Sequence, residues 1–185
     1  MERSVVLTGI GGQGVQLAGS ILAKGAVRDG KFVSMLGVYG GEMRGGPSGS
    51  TVIVGDDPVQ APPKVSAAWA ILSFHPKFWD QAADKATQGS IVLYNCDLSG
   101  SEHDGAAYRA LPLPATSIAK SLGSEQLASM VMVGAFLRIT GIVDIQAVKD
   151  AMAAYIPAYR AHRIAANAEA IDAGYAAAAE LEQVA

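Results

Sequence analysis

The chain has almost no cysteine. Among its 185 residues Cys96 stands alone. One thiol makes no internal disulfide and no iron–sulfur site, which usually takes four. The three histidines, His75, His103 and His162, lie too far apart in sequence for a zinc motif, and each reads as a surface or satisfied residue. Charge is scarce as well. Charged residues make up 17%, with 14 Lys and Arg against 17 Asp and Glu, a net charge of −3. No basic face is available for nucleic acid. No apolar run approaches the roughly 18 residues of a membrane helix. Met1-Glu2-Arg3 runs straight into an apolar segment, so the expectation is a cytoplasmic chain without a secretion leader. There is no G-x-x-x-x-G-K-[ST] for ATP turnover, no Ser–His–Asp set and no activated cysteine, so no catalytic residue is assigned.

What the chain has is apolar surface and glycine. Half of its residues are hydrophobic, and 21 are glycine. A mean hydropathy of +0.25 without a membrane span implies surface buried against other subunits. Strand-like runs over residues 4–8, 31–36, 50–54, 69–74, 90–95 and 110–114 alternate with helical patterns over 13–28 and 76–86. Residues 125–140 are apolar around most of a helix, which predicts burial. Asp144 begins a further helix to about Tyr155, and an Ala-rich helix follows Pro157, with Arg160 and Arg163 on its wetter side. The pattern implies one α/β domain over 1–185, Rossmann-like and three-layered, with a mostly parallel sheet and a helical C-terminal extension over 157–185.

Two glycine-rich stretches stand out. Residues 9–14 read Gly-Ile-Gly-Gly-Gln-Gly between a strand and a helix. Such a turn brings bare backbone N–H groups and a helix N-terminus up to an anion, usually a phosphate. It satisfies G-x-G-x-x-G, so a stand-alone NAD-binding oxidoreductase is one reading. That fingerprint also wants an acid closing the second strand to hold the ribose, and Met35-Leu36-Gly37 offers none. The second stretch, residues 37–49, carries Glu42, Arg44, Gly45, Gly46 and Ser48. A guanidinium between glycines suits phosphate or carboxylate. Both loops leave the carboxyl ends of strands, where open α/β sheets bind ligands. They are therefore expected to line one crevice. A third reading is a structural subunit whose loops only dock partners.

At these residues the chain resembles the gamma subunit, or gamma domain, of the 2-oxoacid:ferredoxin (acceptor) oxidoreductases. Gly9-Ile-Gly-Gly-Gln-Gly-Val, followed by Ala18-Gly19 and Leu22-Ala23, is similar to the family's first turn and helix. Tyr39-Gly-Gly-Glu-Met-Arg-Gly-Gly-Pro-Ser48 resembles its second signature, and residues 50–55 continue the match. The resemblance is specific over residues 4–57, general over 65–155, and carries no signature beyond 157. It extends equally to pyruvate, 2-oxoglutarate, branched-chain and aryl-glyoxylate enzymes. It implies a complex that oxidatively decarboxylates a 2-oxoacid to an acyl-CoA. Thiamine diphosphate would sit on alpha and beta subunits, and iron–sulfur clusters on a ferredoxin-like subunit. The gamma chain would help to bind coenzyme A. Carried over, Gly11, Gly12, Gln13 and Gly14 would face a phosphate-bearing cofactor, and Glu42, Arg44, Gly45, Gly46 and Ser48 would border the shared cleft.

Overall fold

The computed structural model describes residues 1–39, 45–100, 103 and 107–182. Six strands form one sheet: β1 (Glu2–Ile10), β2 (Phe32–Tyr39), β3 (Pro47–Gly55), β4 (Ala68–Ser73), β5 (Ala86–Asn95) and β6 (Arg109–Leu113). Their order is β2-β3-β1-β4-β5-β6. β1, β4, β5 and β6 run parallel, whereas β3 is antiparallel to both β1 and β2. Five strands therefore share one direction, and β3 alone opposes them. The expected α/β fold is present, with a mixed sheet.

Two of the expected strands are longer than their apolar cores, because β2 and β3 pair in continuous register from Phe32↔Gly55 to Tyr39↔Ser48. The glycine stretch between them shrinks accordingly. Glu42 and Arg44 fall within 40–44, outside the described residues. β6 contains Pro112, tolerated because β6 is an edge strand.

The helices are α1 (Val15–Arg28), α2 (Asp80–Ala83), α3 (Ala115–Ser121), α4 (Ala128–Thr140), α5 (Ile145–Tyr155) and α6 (Ile164–Glu182). α3 carries too short a pattern to stand out in the sequence. Asp144 caps α5 as expected, its Oδ1 accepting from the Ala147 N–H at 3.0 Å. The last helix begins at Ile164 rather than after Pro157, because Ala158–Arg163 forms a 3-10 segment.

The main core lies on one face of the sheet. Val5, Leu7, Val52, Val54, Ala70, Leu72 and Leu93 meet Ile21 and Leu22 of α1, Met130 and Phe136 of α4, and Ile171 of α6. α4 is buried along Ser129–Leu137, as its all-round apolarity requires. The opposite face has a thin cover. There Val6, Ile71 and Val92 pack against Trp79 and Ala82 from the short segment around α2. His103 joins this side, 6% exposed, with Nδ1 3.0 Å from the Tyr108 hydroxyl and its ring against Trp79 and Tyr94.

This layering follows from handedness. Crossovers between parallel strands are right-handed. From the β1–β4 pair the chain moves outward in one direction through α1 and in the other through α2, so the two covers fall on opposite faces. β1 and β4 thus flank a topological switch point, which opens a crevice at their carboxyl ends.

Candidate functional site

The turn after β1 fills that crevice. Ile10 N–H donates to Gln13 Oε1 (3.1 Å), and Gln13 N–H donates to the Ile10 carbonyl (3.3 Å). Gln13 Nε2 also reaches the Phe74 carbonyl after β4 (3.5 Å). The Gln13 amide is therefore spent on shaping the turn and tying it across the switch point. Gly11 N–H donates to the Gly46 carbonyl at 2.8 Å, which joins the two glycine loops directly. Gly45 has φ +78°, a left-handed residue just before that contact. Ser48 lies in β3, buried and in register with Gly9, so it sits inside the sheet. Gln16 secures the same end of the hairpin, its amide donating to the carbonyls of Val38 (2.9 Å) and Gly49.

With Gly11 and Gln13 engaged, the turn presents Gly12 and Gly14. Both have positive φ, +99° and +79°. A Cβ on Gly12 would meet nothing within 4 Å, whereas one on Gly14 would lie 2.7 Å from Ser129 Oγ. Gly14 is the N-cap of α1, and no side chain caps that helix. The first intrahelical bond is Ala18 N–H to the Gly14 carbonyl (2.8 Å). The N–H groups before it are left for a ligand or water, at the positive end of the helix dipole.

These groups face a cavity of about 620 Å³, within the usual size range of small-molecule sites. Gly12, Gly14 and Leu17 form one wall. Gly123, Ser124, Gln126, Leu127 and Ser129 form the second, at the start of α4. Tyr155 and Ile156 at the end of α5 close it together with Pro157, Arg160, Arg163, Ala166 and Asn167 of the C-terminal extension. Among the described lining residues Arg160 and Arg163 are the only charged ones, and neither joins an ion pair with a described residue. The two guanidiniums and the uncapped N-terminus of α1 make one anion-binding end. Leu17, Leu127, Ile156 and Ala166 make an apolar remainder.

The two arginines are the residues that reading the sequence misses as a site. They lie far from the glycine turn along the chain, and no motif surrounds them. Their one sequence signal is position on the wet side of an Ala-rich helix.

The alternative nicotinamide geometry finds little support in this arrangement. Antiparallel β3 occupies the place beside β1 where a dinucleotide fold keeps a parallel strand. Asp29 lies at the far end of α1, where its Oδ2 accepts from the Asp144 N–H (3.1 Å). Among the described residues that line the cavity there is no cysteine, histidine or carboxylate. Cys96 is half-buried elsewhere, and burial pushes its thiol up, with Asp97 adding to the effect, so it stays protonated at neutral pH. His75 Nδ1 accepts from the Lys77 N–H (3.1 Å), and partial burial holds its pKa below the ordinary value, with Lys77 contributing. It is a neutral cap of a 3-10 turn.

Comparison with known proteins accords with this architecture. Residues 4–177 match the family model described as pyruvate ferredoxin/flavodoxin oxidoreductase. The 2-oxoglutarate synthase subunit KorC of Methanocaldococcus jannaschii is 33% identical over 187 residues, covering 98% of this chain and 96% of its own. Among solved structures, the keto/oxoacid ferredoxin oxidoreductase gamma subunit from Geobacter sulfurreducens PCA superposes with a TM-score of 0.84 at 28% identity, covering 98% of both chains. The 2-oxoglutarate:ferredoxin oxidoreductase from Magnetococcus marinus, solved with 2-oxoglutarate, coenzyme A and succinyl-CoA bound, shares the fold at a TM-score of 0.86 and 23% identity, over 97% of this chain and 31% of that one. Some curated relatives are likewise longer, and the chain spans 29% of one of them. On a family match over almost its whole length, the chain belongs to the pyruvate ferredoxin/flavodoxin oxidoreductase family.

Proposed function

We propose that this chain is the gamma subunit of a multisubunit 2-oxoacid oxidoreductase, and that it helps to bind coenzyme A. The complex would oxidatively decarboxylate a 2-oxoacid to an acyl-CoA. The carrying observation is the uncapped N-terminus of α1, opening with Gly12 and Gly14 onto a cavity whose charged lining residues are Arg160 and Arg163. That end suits phosphate, and coenzyme A is the phosphate-bearing reactant of such an enzyme. The bound coenzyme A in the M. marinus relative supports the same reading.

The rest of the chemistry belongs to other chains. A single half-buried cysteine does not fit an iron–sulfur cluster. Thiamine diphosphate would be held by alpha and beta subunits, and the clusters by a ferredoxin-like subunit. Copurification from the native source tests this, with thiamine- and cluster-bearing partners expected. A stable, partner-free monomer would overturn it.

An exposed apolar strip supports assembly. On β2, Phe32, Leu36 and Val38 are 46%, 42% and 60% exposed on one sheet face. This edge strand carries no charge, no proline and no bulge, the usual protections of a free edge. A partner subunit would cover it. Leu36→Lys with Val38→Lys is expected to leave the chain folded and to weaken assembly at least about tenfold, the loss of one well-placed interface contact. Analytical ultracentrifugation with the partner subunits reads that change.

Arg44 tests the second loop. Arg44→Ala is expected to raise the KM for coenzyme A severalfold while the complex stays assembled. Lost assembly with an unchanged KM would instead make this loop a docking element and the chain a scaffold.

A further inference from the structure

The cavity before the glycine turn is charged at one end and apolar elsewhere. It contains no cysteine, histidine or carboxylate among its described lining residues, and so offers none of the usual acyl-transfer groups there. It is built to hold a part of the ligand that does not react.

The two ends of coenzyme A differ sharply. One is an adenosine with a 5′-pyrophosphate and a 3′-phosphomonoester. The other is an uncharged pantetheine arm ending in the thiol. We propose, resting on the coenzyme A reading above, that this cavity takes the adenosine-bisphosphate end, with Arg160 and Arg163 gripping the 3′-phosphate. The pyrophosphate then lies on the backbone N–H groups at Gly12, Gly14 and the start of α1, as anions do at helix N-termini. The 3′-phosphate is a dianion, and paired guanidiniums are its natural partners.

Two buried polar side chains point to the same occupant. Ser129 is 2% exposed, lines the cavity, and its hydroxyl makes no hydrogen bond with a described residue. That hydroxyl lies beside the bare Cα of Gly14, where a ligand's phosphate oxygens would come. The hydroxyl opens onto the cavity, where a ligand oxygen can pair with it. Asn167 is 8% exposed, and its amide nitrogen donates to the Arg163 carbonyl at 2.8 Å. This bond fixes the arginine's backbone and leaves the Asn167 side-chain oxygen as an acceptor for an exocyclic amine. Leu17, Leu127 and Ile156 supply flat apolar contact for a base.

Specificity then resides in the C-terminal extension. The purified complex can be tested by equilibrium dialysis with labelled coenzyme A against three competitors: adenosine 3′,5′-bisphosphate, ADP and phosphopantetheine. The bisphosphate is expected to compete at least tenfold better than ADP. Arg160→Ala with Arg163→Ala should erase that advantage, and Arg160→Lys with Arg163→Lys should restore part of it. Both positions are exposed, so unchanged melting of the variants verifies folding. Equal competition by ADP, or better competition by phosphopantetheine, would overturn the assignment. So would an advantage that survives the double alanine variant. Photolabelling with an azido-adenine coenzyme A separates the two claims. Labelling of this chain without a bisphosphate advantage sinks the arginine assignment alone, whereas labelling confined to partner chains sinks the coenzyme A reading itself.

Discussion

Gly134→Ala is expected to destabilise the protein by about 3 kcal/mol, the upper range for overpacking, and to lower its melting temperature by roughly 6–12 °C. Gly134 lies in α4, and a Cβ there would fall on the carbonyl oxygen of Ile171 in α6. The contact is reciprocal, because a Cβ on Gly174 of α6 would fall on the carbonyl oxygen of Val131. At these two positions the helices meet backbone to backbone, with no side chain between them. Alanine has the better helix propensity, by about 1 kcal/mol. That gain loses here, since the obstructing atoms are main-chain carbonyls that cannot rotate aside. The helices would have to separate, and Phe136, Met130 and Ile171 would lose packing together. Gly89→Ala is the control. A Cβ at Gly89 meets nothing within 4 Å, so its effect should stay within about 0.5 kcal/mol. Urea unfolding of both variants reads the difference. Gly134→Ala as stable as the parent would refute the close crossing.

The crossing also matters for function. α6 follows directly from the 3-10 segment Ala158–Arg163 that carries both cavity arginines. Its seat on α4 sets where that wall stands relative to the glycine turn. A Gly134 variant rescued to fold at low temperature should therefore also bind coenzyme A more weakly.

Gly14→Ala should raise the KM for coenzyme A by at least about tenfold, or 1.4 kcal/mol of lost binding. Two separable costs act on it. A left-handed backbone costs a residue with a Cβ about 1–2 kcal/mol, and Gly14 has φ +79°. The new Cβ would also lie 2.7 Å from Ser129 Oγ and 3.3 Å from its Cβ. Relief of either strain rotates the start of α1, which moves the N–H groups that face the cavity. Ser129→Ala removes the closer clash and leaves the φ cost. The double variant Gly14→Ala, Ser129→Ala is thus expected to recover about 1 kcal/mol of stability relative to additivity, a typical coupling between touching residues. Additive effects would mean that Ser129 does not confront the turn. Gly12→Ala carries the φ cost without the clash, since its Cβ would point into open space.

Much of this fold was legible from short-range chemistry. The β1 strand, the glycine turn and α1 follow one another because apolar alternation, bare glycines and a three-four stripe each act within a few residues. Asp144 was readable as a cap for the same reason. The burial of α4 was readable from an apolar circumference. The start of α1 was misplaced by two residues, since Gln13 turns its amide back onto Ile10 rather than beginning the helix.

Determined by the sequence alone, then, were most of the elements, the glycine turn between β1 and α1, and a single cysteine, fewer than a cluster usually takes. Tertiary structure decided the rest. It inserted antiparallel β3 between β1 and β2, spent Gly11 N–H on the Gly46 carbonyl, and set Ser48 inside the sheet. It brought Arg160 and Arg163 to the glycine turn through the glycine-on-carbonyl crossing of α4 and α6. The physical reason is range. Propensity, capping and turn chemistry act over a few residues, whereas the pairing of strands and the meeting of side chains distant in sequence depend on how all the apolar faces are buried at once.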